Sequence, residues 1–126
     1  MKIRNDFVSN SSSSSFVLFG TAIDRKELIE IWKKQPGHEN DDIDDIDLNE
    51  VYEELLFDDF EVALFDYEDR KAYVGSNPGS MKNGETLFEF KQKIVDSLAS
   101  HGIARKVEDI EFMSGINYDG EGLSFD

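Results

Sequence analysis

Cysteine is absent from this 126-residue chain. A disulfide framework and a thiolate metal site are therefore both excluded, and the composition fits a reducing compartment, so a cytoplasmic protein is expected. Only two prolines and one tryptophan occur. No apolar run approaches the roughly 18 residues of a membrane span. The start, Met1-Lys2-Ile3-Arg4, is basic but lacks an apolar h-region, and no signal peptide is expected. Basic residues are scarce where acidic ones crowd. From Glu39 to Asp69 there are fifteen acidic residues and no Lys or Arg, while the rest of the chain balances thirteen against thirteen. The whole net charge of −15 thus sits in one quarter of the chain. No basic stripe exists to release counterions from phosphates, which argues against direct binding to nucleic acid or to an anionic membrane.

What is present suffices for one core. Ten phenylalanines and a 39% apolar content take the chain out of the disordered class, and its length suits a single domain. Phe16-Val17-Leu18-Phe19 reads as a buried strand reaching Ala22. Asp24 with Glu27 has capping-box spacing, and Ile23 with Leu28 fits a hydrophobic staple, so a helix follows until Pro36-Gly37. Residues 37–46 read as a self-repelling acidic loop. Asp47, Glu50 and Val51 repeat the start signal for a short second helix carrying Val51, Tyr52, Leu55 and Leu56. Phe60 to Tyr67 and Lys71 to Gly75 form a predicted hairpin. A loop over 76–84 leads to the longest predicted helix, 85–100, with Gly102 just past its end. Ile110, Phe112 and Ile116 mark a last strand, and Asp119-Gly120 a turn that lets Leu123 to Phe125 pair back. The order β-α-α-β-β-α-β predicts an α+β fold, an antiparallel sheet with helices on one face. Without the short second helix it is the split β-α-β order of ferredoxin-like sandwiches.

The opening Lys2-Ile3-Arg4, then Phe7-Val8-Ser9-Asn10, the serines Ser11, Ser12, Ser13, Ser14 and Ser15, and Phe16 resembles a header shared by many small uncharacterised proteins of tailed bacteriophages and bacteria. Tyr73-Val74-Gly75, Ser80-Met81, Glu85-Thr86 and Phe90-Lys91 are similar to a subset of them. The resemblance covers about a third of the chain. It implies a phage or prophage origin and a bacterial cytoplasm. It implies no activity and carries over no catalytic or binding residue.

Catalytic patterns are sparse. His38 follows a Pro-Gly turn, and His101 ends a predicted helix, where the macrodipole is reason enough for it. The five serines read as a hydroxyl-rich loop, with covalent modification or processing as their alternative use. Gly75 to Lys82 precedes a helix but lacks the Gly-Lys-Ser/Thr ending of a phosphate loop. Asp41, Asp42, Asp44, Asp45 and Asp47 offer oxygen ligands without the Gly a calcium loop needs, and Asn117 to Asp126 matches only part of that pattern. No cofactor or metal is expected. The acidic block remains. Asp44, Asp45, Asp47, Glu50, Glu53, Glu54, Asp58 and Asp59 are the candidate contact set for a basic protein partner in a non-enzymatic accessory protein. An alternative is nucleic-acid mimicry, for which Asp47, Glu50 and Glu54 share a helix face and the 38–46 loop is expected to be too flexible to contribute. A carboxylate-only enzyme would need two of these groups in an apolar pocket.

Overall fold

The computed structural model describes residues 13–118 and 122–126. Five strands and three helices follow in the order β1 (Ser13–Ile23), α1 (Arg25–Lys33), α2 (Leu48–Leu55), β2 (Val62–Asp66), β3 (Lys71–Ser76), α3 (Leu87–Ser100), β4 (Glu111–Tyr118) and β5 (Gly122–Phe125). The sheet is antiparallel throughout, in the order β2-β3-β1-β4-β5. Strands β1 and β2, joined through α1 and α2, run parallel with β3 between them. Strands β3 and β4, joined through α3, run parallel with β1 between them. The α+β class expected from the pattern is the class observed. No helix among the described residues is long and apolar enough to cross a membrane.

The helix starts follow the local chemistry. Asp24 caps α1 and forms the reciprocal box with Glu27, while Ile23 and Leu28 are both fully buried as the staple requires. Helix α3 begins two residues later than its periodicity suggests, because Thr86 accepts from the Glu89 N–H and Glu89 returns to the Thr86 N–H. Helix α2 lacks the reciprocal box that its spacing predicts. Asp47 accepts from the Asn49 N–H at 3.0 Å, so Glu50 is left facing solvent.

Cross-strand partners share a face of a sheet. On one face Ile23, Ala63, Phe65, Ala72 and Val74 pack with Leu28, Ile31 and Trp32 of α1, Val51 and Tyr52 of α2, and Phe90, Ile94 and Leu98 of α3 in one buried cluster. The other face carries no helix, yet Phe16, Leu18 and Val62 are buried there. The sheet covers them by curling. Edge strands β2 and β5 approach each other, and a Cβ on Gly122 would stand 2.9 Å from Asp66 Oδ1. Phe125 of β5 meets Phe16 edge-on at 5.6 Å and Tyr73 at 5.0 Å between ring centroids, filling the concavity.

Gly20 of β1 faces Gly75 of β3. A Cβ on Gly20 would collide with the Val74 carbonyl, and one on Gly75 with the Phe19 carbonyl. Glycine here admits close backbone approach. In β4 the apolar alternation points outward. Phe112 is 55% exposed and Ile116 37%, while Gly115 on the opposite parity is buried.

Gly20→Ala and Gly75→Ala should each lower unfolding stability by about 3 kcal/mol, the upper end for overpacking. Urea unfolding checks this. A loss below about 0.5 kcal/mol for both, the level of a neutral surface change, would show that the close approach does not set the curl.

Candidate functional site: the acidic lobe

Residues 37–59 lie on the helical side of the sheet, with Leu48, Val51, Tyr52 and Leu56 in the core, and several of their charges are anchored at identifiable points. Helix α1 ends at Lys33, and the following turn brings the His38 ring onto Trp32, 4.1 Å between centroids at 33°. Asp41 closes the clasp. Its Oδ2 accepts from Trp32 Nε1 at 2.9 Å and pairs with His38 Nδ1 at 2.8 Å. The Trp32 hydrogen bond first, then that of His38, holds the Asp41 carboxyl below its ordinary value. Glu39 accepts from the Gly37 N–H at 3.1 Å.

The next carboxylates are fixed by backbone donors. Asp42 caps a 3-10 turn over Ile43–Asp45, accepting from the Asp44 N–H at 3.1 Å. Asp47 caps α2. The segment expected to be a flexible loop thus contains a capped turn tied at both ends. Helix α2 is tied to the sheet by Tyr52, whose hydroxyl donates to the Ala63 carbonyl at 2.7 Å. Burial pushes that phenol up.

All eight candidate residues, Asp44, Asp45, Asp47, Glu50, Glu53, Glu54, Asp58 and Asp59, are exposed. The structure divides them. Asp45, Asp47 and Glu50 share a cleft of about 350 Å³ with Trp32, His38 and Asp41. Asp44 and Asp47 border a second cleft of about 500 Å³ with Tyr67 and Arg70. Asn49 bridges toward that cleft, donating to Glu53 at 3.3 Å and accepting from the Tyr67 hydroxyl at 3.1 Å. Asp59 lies at the far end of α2, paired with His101 Nε2 at 3.0 Å. His101 is also the C-cap of α3.

The clasp residues Trp32, His38 and Asp41 do not stand out in the sequence. Their signal is a His three residues before an Asp just after a Pro-Gly turn, and nothing in the spacing brings Trp32 to them. Ser13, Ser14 and Ser15, expected in a loop, are strand residues opposite Tyr118, Asn117 and Ile116. Ser11 and Ser12 lie outside the described residues, as do Asp119 and Gly120 of the partial calcium pattern. Among the described residues no three His, Asp or Glu side chains converge as a metal set.

A depressed carboxyl stabilises the fold above its unfolded value, ordinarily 3.8, and that contribution is lost as pH falls through the folded value. Trp32 is the sole tryptophan and reports on the clasp directly. Its fluorescence should show a step below about pH 4, ahead of the loss of far-UV circular dichroism. Asp41→Asn should lack that step. Identical acid profiles for the two proteins would refute the clasp.

No protein-family model matches the chain, and no curated protein or solved structure matches it.

Proposed function

We propose that this chain is a non-enzymatic accessory protein, phage-derived as its header suggests, that docks a basic protein partner in the bacterial cytoplasm. The contact set is Asp44, Asp45, Asp47, Glu50, Glu53, Glu54, Asp58 and Asp59. One observation carries the reading: these eight carboxylates all face solvent on a segment clasped to α1 through Asp41 and to the sheet through Tyr52. Exposed charges of one sign steer a complementary partner and reject acidic competitors.

The anchoring also favours a second reading, nucleic-acid mimicry. A mimic needs carboxylates at fixed separations. Asp42 and Asp47 are held by backbone N–H groups and Asp41 by two side chains. Under this reading the partner is an enzyme with a basic nucleic-acid cleft.

Like charges packed along one helix repel, by a few tenths of a kcal/mol per pair. A combined Asp44→Asn, Asp45→Asn, Glu50→Gln, Glu53→Gln, Glu54→Gln variant should therefore fold with an unchanged or higher Tm. Asp47 and Asp59 are left intact for their cap and His101 contacts. In affinity capture from bacterial lysate at low and moderate salt, the wild type should retain a salt-sensitive basic partner that this variant loses. Equal capture by both would discard the docking surface. Duplex DNA should displace that partner under the mimic reading and leave it bound under the first.

A further inference from the structure

Helix α3 meets the sheet at β1, where Phe90 packs edge-on to Phe19 with ring centroids 6.0 Å apart. Beyond that contact the same face continues over β4 and β5. The register sets Phe112, Ser114 and Ile116 of β4 beside Phe19, Val17 and Ser15 of β1, with Ser124 of β5 beside Ile116. Three large side chains of β4 look into solvent here. Phe112 is 55% exposed, Ile116 37% and Tyr118 41%.

The patch continues onto α3. Phe112 meets Phe19 at 5.5 Å, and Lys91 Nζ lies 5.7 Å over the Phe19 ring. Leu87 and Phe88 stand one turn before Lys91 on the same side of the helix, 44% and 63% exposed.

Area and charge together decide what fits. A whole side chain of this size carries about 200 Å², so five that are half exposed present roughly 500 Å². A stable interface takes about 800 Å² from each partner, about 60% of it apolar. The patch meets that requirement, and the serines beside it supply polar surface. Among the described residues of β1, β4 and β5 that share this face there is no carboxylate. A basic partner therefore finds no row of charge to grip, and an acidic one meets a chain of net charge −15. A second copy meets the same apolar surface as its own. The acidic lobe stays clear of the contact, because Tyr52 ties α2 to β2, which β3 and β1 separate from β4.

The flanks of the patch differ in sign. Lys91 lies on its β1 side. Asp126, which accepts from the Ser114 hydroxyl at 2.8 Å, lies on its β5 side. A two-fold axis running along β4 in the plane of contact sets Lys91 of each copy against Asp126 of the other. Such an isologous contact closes at two copies.

We propose that this face is a homodimer interface, centred on Phe112 and Ile116 and bordered by reciprocal Lys91–Asp126 pairs. The dimer carries two acidic lobes, both outside the contact.

Sedimentation equilibrium of the full chain, over a range of concentrations at low and moderate salt, tests it. The mass should rise with concentration toward twice that of the chain. Association should tighten as salt rises, because the apolar contact is retained while repulsion between two strongly acidic copies is screened. Ile116→Glu should weaken it about a hundredfold, since symmetry introduces the charge twice at the centre. Lys91→Glu should weaken it about fivefold, and adding Asp126→Lys should restore it. Both flank positions lie at the surface, so far-UV circular dichroism should show folded variants even if Ile116→Glu unfolds the sheet. A monomer at every concentration, association that weakens with salt, or a double swap that fails to restore the single one would each overturn the proposal. Capture of a basic partner by the lobe is decided separately.

Discussion

The close backbone approach that glycine admits is the constraint on which the curl of the sheet depends. It occurs at Gly20 with Gly75 between β1 and β3, and again at Gly115 against the Ser124 carbonyl between β4 and β5. Once bent, the sheet brings β2 and β5 together over Phe16, Leu18 and Val62. That face needs no helix. All three helices pack into the cluster on the other face, and the two short ones, α1 and α2, lie against each other. The loop between them must leave the core, and its residues 38–47 carry the acidic run outward. A flat sheet of the same composition would expose the aromatic ring of Tyr73, whose burial depends on curvature, whereas Phe125 stays 42% exposed at the edge.

The acidic lobe works against its own folding, and its contacts show how the repulsion is met. Like charges at helical spacing oppose α2, and Glu53, Glu54, Asp58 and Asp59 crowd its C-terminal end, where the macrodipole favours cations. Among the described residues, relief comes mainly from hydrogen-bond donors. Backbone N–H groups take Asp42 and Asp47, the Trp32 indole and His38 take Asp41, and His101 meets Asp59. The hydrophobic side of α2, with Leu48, Val51 and Tyr52 buried, supplies the remainder.

Much of the fold was legible because its signals are local. Asp24 and Glu27, Gly102, the hairpin residues and the apolar stripes of the helices act within a few residues of themselves, and the elements they predict are observed to within about two residues at their ends. What escaped depends on contacts distant in sequence. Nothing near Gly20 announces Gly75, and a glycine inside a strand reads only as a weakness until its partner is known. The alternation of Phe112 and Ile116 marks a strand correctly but not which side is covered, since that is decided by where α3 ends. Of the site, the eight carboxylates were legible as charge, whereas the Trp32–His38–Asp41 clasp was not, because a stacked ring and a shared carboxylate leave no periodic trace. The serines at 13–15 have a loop-like composition, and only pairing with β4 makes them strand.

Steering a partner and holding it draw on different features of a surface. Exposed carboxylates on α2 act at a distance and raise the encounter rate, yet each surface ion pair contributes little to affinity, about 0–1 kcal/mol. Lasting complexes draw their energy from a few anchors seated in desolvated pockets. The lobe clefts at Asp44 and Asp47 are open and rimmed with charge. A basic partner that only touched the lobe would come and go quickly and lose its hold as salt rises. On these physical grounds the carboxylates of the lobe would set how fast a docked basic partner arrives rather than how long it stays.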